Sequence, residues 1–367
     1  PSITPNQQVG GKKPLSFHRQ VLSILGNPAL LEDPITAKLY PADVLARARQ
    51  YIGGYPKFGA YSHSKGVAFF RQQVANYIDR RDAPKAGSSD GPKAGSNPLK
   101  VEKMDIEDIY LTDGATAGVK TVLEVMLDGP QDAILIPMPQ YPLYSASVVR
   151  LGGTFIYYEM TEDYTSAQGW GIDVAVIEKR IKEFLATGGR VRGIAVINPG
   201  NPTGNVMTYA DIEAVVRLCA KYKIVIMADE VYQDNVWRPD REFISFRQVV
   251  HETGLPVELF SFHSMSKGYY GECGLRGGVL TLTNIDEKVA DQIYKLFSMI
   301  LCANTLGQGM MASILNPPLP GEASYDLFQK EKQGIISSLN LKADLVANLL
   351  NSIPGVQTLP TEGAMYS

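Results

Sequence analysis

No apolar run in the chain approaches the roughly 20 residues that a membrane-spanning helix requires; stretches such as ASILNPPLP and VLEVMLDGP meet Pro or Gly too soon. Cysteine is scarce. The three thiols, Cys219, Cys273 and Cys302, have no paired spacing, which argues against a disulfide framework or a cysteine zinc site and fits reduced thiols inside a cell. The four histidines, His18, His63, His251 and His263, lack ligand spacing, so no metal is expected. Charge of one sign is lacking too: 35 basic against 38 acidic residues leave a net charge of −3. That balance gives neither nucleic acid nor an anionic membrane an electrostatic reason to bind. What remains is 367 residues, 45% hydrophobic and 20% charged, the composition of a globular enzyme with two domains or a large domain and a smaller lobe.

Along the chain, GVAFFRQQVANYIDR (66–80) has helical apolar spacing. Residues 82–98 then carry PKAGS twice, at 84–88 and 92–96; with nothing to bury, the tract reads as a flexible surface insertion. Beyond it the pattern becomes regular. Short apolar strands (DIYLTDG, AILIPMPQYP, FIYYEM, GIAVINPGNPTG, IVIMADEVY, VELFSFHSMSKG) alternate with helices (ATAGVKTVLEVML, VAVIEKRIKEFLA, YADIEAVVRLCAKY). Such alternation predicts an α/β fold with a mostly parallel, doubly wound sheet. The closing GAMYS reads like the middle of a strand.

In doubly wound sheets ligands bind beyond the carboxyl ends of the strands. Five polar clusters occupy that position: DGAT, PQY, NPGNPTG, DEVY and HSMSK. Each alone has a structural reading, such as a cap, a turn or a surface ion pair. Together they describe a receptor. Ala115 and Thr116 open a helix whose amides suit an anion. Ser264, Ser266 and Arg276 add donors to that anion. Tyr141 is an aromatic plate, Asn198, Asn201 and Tyr232 are polar donors, and Asp229 ends an apolar run where it is partly desolvated and needs a cationic partner. Lys267 is the lysine of the set. A phosphorylated heteroaromatic aldehyde matches every part, and pyridoxal 5′-phosphate (PLP) is such a molecule.

NPGNPTG, ADEVYQDN and SFHSMSKGYYGECGLRGG resemble the motifs of the fold-type I, class I aminotransferases. LSFHRQVLSI, GAYSHSKG, IPMPQYPLYSA, ADEVYQDNV and EGAMYS resemble the alanine aminotransferase branch. The likeness covers nearly the whole chain apart from the PKAGS tract. It implies that Lys267 holds PLP covalently and shuttles the substrate Cα proton. Asp229 pairs with the pyridinium nitrogen, Tyr232 and Asn201 bond the phenolate oxygen, and Tyr141 stacks on the ring. Ala115, Thr116, Ser264 and Arg276 grip the phosphate. Tyr61 reaches the phosphate of a neighbouring subunit, which implies a homodimer with shared sites.

The domain division implied is an N-terminal segment to residue 47, a large PLP-binding domain over 48–305 and the start of a smaller α/β domain from 306. The resemblance places the arginine for the substrate α-carboxylate past Ser367, so a longer natural chain is expected. The implied reaction is transamination between L-alanine and 2-oxoglutarate, giving pyruvate and L-glutamate by ping-pong exchange of amino-acid and 2-oxo-acid substrates. Glutamate:glyoxylate transamination is the alternative within the class. A PLP lyase of the same fold and a non-catalytic homologue are the alternatives outside it. The resemblance leaves cytoplasm, mitochondrion and peroxisome open as compartments.

Overall fold

The structure is a computed structural model that describes residues 13–83, 100–165 and 169–366. Helices α1 (Ser16–Gly26), α2 (Thr36–Leu39), α3 (Ala42–Gly54) and α4 (Ala68–Arg81) come first. Strand β1 (Ile109–Thr112), α5 (Ala115–Met126), β2 (Asp132–Met138), α6 (Leu143–Arg150) and β3 (Thr154–Glu159) follow. A small hairpin of β4 (Thr161–Asp163) and β5 (Gly169–Gly171) leads to α7 (Val174–Leu185), β6 (Arg190–Ile197), α8 (Tyr209–Tyr222) and β7 (Val225–Asp229). Then come α9 (Phe246–Thr253), β8 (Leu259–Ser264), β9 (Gly278–Thr283), α10 (Glu287–Ile300), α11 (Thr305–Leu315) and α12 (Tyr325–Asn351).

Seven strands form one sheet in the order β1-β9-β8-β7-β6-β2-β3. The chain of pairs from β8 through β7, β6 and β2 to β3 is parallel. Strand β9 runs antiparallel to both its neighbours. Successive residues of a strand face opposite sides, and here both sides are covered. Leu135, Ile194, Val196, Ile226, Ala228 and Leu259 pack with α7, α8 and α9. Their chain neighbours Ile134, Ile136, Ala195, Ile197, Met227 and Phe260 pack with α5, α6 and α10. Burial on both faces explains why these strands read as unbroken apolar runs. A third core joins α1, α3, α4 and α11 to one edge of the sheet.

Two expectations are corrected. The run GAMYS is not a strand: Gly363 makes one isolated bridge to Val236, and Ala364 turns the chain at φ +59°. The tract 82–98 does not begin as an idle insertion. Asp82 is buried, paired with Arg81 at 2.7 Å and Arg247 at 3.2 Å, and accepts from Ser245 Oγ at 2.8 Å. Removing it would take a buried carboxylate from both arginines and leave Arg247 without its ion-pair partner, so a deletion that spares the fold must start after Ala83. The PKAGS repeats lie outside the described residues. Among the described residues, no helix is long and apolar enough to cross a membrane.

Candidate active site

Parallel pairing brings the carboxyl ends of β2, β6, β7 and β8 to one edge, and β1 joins them through β9. Because β9 is reversed, its first residue, Gly278, pairs with the last residues of two neighbours, Ser264 and Thr112. Arg276, two positions earlier, is thereby carried to the same edge. It is held at φ +53°, a left-handed conformation that is strained for a side chain. Its Nη2 donates to Asp113 O at 2.6 Å and its Nη1 to Cys273 O at 3.1 Å. Gly114 makes room for this guanidinium: a Cβ there would lie 2.5 Å from Nη2. Gly114 is also the N-cap of α5 at φ +79° and offers no side-chain cap, so the first amides of the helix lack a side-chain partner where Ala115 and Thr116 line the cavity.

The cavity has a volume of about 290 Å³. Ala115, Thr116, Ser264 and Arg276 line it together with Tyr141, Asn201, Asp229, Tyr232 and Lys267. Every candidate residue named from the sequence lines it except Asn198 and Tyr61. Asn198 is buried and its Oδ1 accepts from Met207 N at 3.0 Å, a turn-fixing role. Tyr61 stands 79% exposed, outside the cavity of its own chain.

Asp229 is buried and accepts from Tyr144 Oη at 2.9 Å. Burial pushes its carboxyl up to about 6, against the pull of Tyr144, Val231 N and Lys267. Lys267 is half-buried, and desolvation lowers its ammonium below the usual lysine range, with Asp229 and then Cys273 opposing. Its Nζ sits 5.8 Å from the centre of the Tyr232 ring. Burial, then Tyr366, hold the Tyr232 phenol well above its ordinary value, and the two hydroxyls lie 2.7 Å apart.

Sequence reasoning missed Tyr144 and Tyr366. The first had a signal: it follows Tyr141 by three positions, one turn on at the start of α6. Tyr366 lies in the EGAMYS segment, but nothing in that segment shows that the Ala364 turn brings it to Tyr232. Among the described residues no group of three or more His, Cys, Asp or Glu is placed to hold a metal.

The aminotransferase class I and II family matches residues 35–367. The chain belongs to that family. This aminotransferase is 42% identical over 370 residues to glutamate–glyoxylate aminotransferase 1 of Arabidopsis thaliana, covering 99% of the chain and 72% of that protein. It is 40% identical over 370 residues to alanine aminotransferase 1 of Homo sapiens, covering 98% of the chain and 69% of the relative. With the mitochondrial alanine aminotransferase 1 of Arabidopsis thaliana the identity is 40% over 366 residues, 98% of the chain and 63% of the relative. In fold the aminotransferase resembles the solved alanine aminotransferase from Pyrococcus furiosus, with a TM-score of 0.69 at 24% identity over 90% of the chain and 73% of that structure. The fold-type I class inferred from the motifs is thus the observed one.

Proposed function

We propose that the chain carries a PLP-dependent transamination between L-alanine and 2-oxoglutarate, yielding pyruvate and L-glutamate. The observation that carries this reading is a buried carboxylate, Asp229, in one cavity with a desolvated lysine and the uncapped N-terminus of α5 beside Arg276.

The residues present fit PLP. The volume of about 290 Å³ lies near the lower bound for small-molecule sites. The α5 amides with Thr116, Ser264 and Arg276 would form an anion cradle, and Gly114 leaves room for the guanidinium that a Cβ there would displace. Asp229 would gain a buried countercharge from a protonated ring nitrogen. Tyr232 and Asn201 would donate to a phenolate oxygen and Tyr141 would lie against the ring; all three line the cavity. When bound, PLP supplies an aldehyde that condenses with amines and a ring that takes up the electron pair released at Cα.

The protein's own residues would do the rest. Lys267 Nζ gives up a proton readily because burial disfavours its charge, which suits it both as a nucleophile and as the base that moves the Cα proton. Asp229, its Oδ2 fixed by Tyr144, would hold a proton on the ring nitrogen of bound PLP. Tyr366 fixes the Tyr232 hydroxyl. The proposed PLP-binding domain spans residues 48–305, with the sheet at its centre, and the proposed smaller domain starts at 306.

Relatives of similar identity carry the names alanine and glutamate–glyoxylate aminotransferase, which keeps glyoxylate as the second acceptor to offer. The test is a product assay on PLP-loaded protein. Alanine with 2-oxoglutarate should give pyruvate and glutamate in equal amounts. Glutamate with glyoxylate as the only productive pair would transfer the reading to the alternative, and no product from either would overturn both.

Tyr61 supports a proposed homodimer, because its exposed phenol completes no site in its own chain. Mixing Lys267→Ala with Tyr61→Phe protein under subunit exchange should create heterodimers with one intact and one doubly damaged site. PLP titration of the mixture should therefore reveal a class of sites with wild-type affinity. If proven exchange yields only the two parental behaviours, Tyr61 does not serve a neighbouring subunit.

A further inference from the structure

The loop from Lys267 to Arg276 carries both the proposed nucleophile and the proposed phosphate-binding guanidinium, yet it contains little regular structure. Its middle is held by Glu272. The Glu272 amide donates to Met265 O at 2.9 Å, and its carbonyl accepts from Leu275 N at 3.1 Å. Its carboxylate is 3% exposed and takes two parallel bonds from Arg19, Nε to Oε1 at 2.8 Å and Nη2 to Oε2 at 2.6 Å. A bidentate pair with one end buried is of the strong class, unlike ordinary surface ion pairs.

Arg19 lies on α1, and α1 is anchored elsewhere. Ser16 N donates to Glu331 Oε2 of α12 at 2.9 Å. His18 Nδ1 pairs with Ser313 Oγ of α11 at 2.9 Å. Phe17, Val21, Ile24 and Leu25 are buried in the core that α1 shares with α3, α4 and α11. The helix is therefore a fixed body on which the lysine loop is hung.

We infer that Arg19 and Glu272 are positioning residues for the proposed reaction: their ion pair ties the Lys267–Arg276 loop to α1, so that docking of α1 and retention of the cofactor are coupled. The cofactor half rests on the proposed function; the loop half does not.

The test uses the whole chain, with Arg19→Gln, Glu272→Gln, the double variant and Arg19→Lys. Hydrogen exchange of the cofactor-free proteins should show faster exchange at residues 265–276 in Arg19→Gln and at 16–26 in Glu272→Gln. In the loaded proteins PLP release should quicken roughly tenfold in either variant, as the loss of charge-assisted bonds predicts. The double variant should be no worse than the worse single one, since the pair acts as a unit. Arg19→Lys, which keeps charge but not the fork, should recover part of the effect, and it decides the matter if the Gln variants do not fold. Unchanged exchange at 265–276 in Arg19→Gln, or release rates that multiply in the double variant, would overturn the coupling. Failure of the wild type to take up PLP would instead sink the proposed function and leave the exchange prediction standing.

Discussion

Lys267→Ala lowers the rate of transamination by at least about a thousandfold, the combined loss of a nucleophile and a proton-transfer group. The expectation rests on position: Lys267 follows β8 directly and points its half-buried amine into the cavity shared with Asp229 and Tyr232. Desolvation disfavours its charge in the fold, so removing it should not cost stability, and the melting temperature of the cofactor-free variant should match or exceed that of the wild type. The second readout is covalent. Borohydride treatment of the PLP-loaded wild type should add the cofactor mass to the Lys267 peptide, and the variant should show no such addition on any peptide. Retained turnover, or the same mass on another lysine, would refute the assignment.

Asp229→Asn produces opposite effects on stability and on chemistry. Burial raises the Asp229 carboxyl from 3.8 to about 6. The folded state therefore keeps a proton that the unfolded chain has already released, and stability falls as pH rises between those values. The penalty is full above about pH 6 and absent below about pH 4. Asn can still accept from Tyr144 Oη but carries no charge. In cofactor-free protein the variant should thus be more stable than wild type at pH 8 by about 3 kcal/mol, with the difference gone near pH 4. Denaturant unfolding at the two pH values measures it. In loaded protein the order reverses, because a neutral amide cannot hold a proton on the facing ring nitrogen; the alanine half-reaction should slow by about a hundredfold or more. Equal stabilities at pH 8 would mean that the carboxylate bears no burial penalty, and equal half-reaction rates would place the acidic partner elsewhere.

Much of the site was legible without the structure, for an identifiable reason. A parallel strand buried on both faces has no room for polar residues until its carboxyl end. Polar clusters after apolar runs therefore mark one edge of the sheet, and Asp229, Lys267, Tyr141 and Asn201 all meet there. The helices 66–80, 115–127 and 174–186 expected from periodicity correspond to α4, α5 and α7 within two residues, because each is amphipathic against a single core. The alternation of strands and helices did not, however, show β9, whose GVLTLT run carries no helix before it and pairs by reversal.

By itself the sequence determined the fold class, the family and the chemical kinds of group at the site, since local patterning and motif spacing encode those. Strand order and long-range pairing were decided only in three dimensions. The antiparallel turn of β9 sets Arg276 against Gly114. Tyr144 and Tyr366 reach Asp229 and Tyr232 from separate elements. Asp82, at the start of what reads as a linker, proves to be the buried partner of Arg81 and Arg247. Arg19 meets Glu272 across 253 positions of chain. Tyr144, Tyr366, Arg19 and Arg247 each supply a charge or hydroxyl to a partner that its own neighbourhood in the chain does not name. A buried polar group must find such a partner, and only the packing of distant elements decides which one it meets.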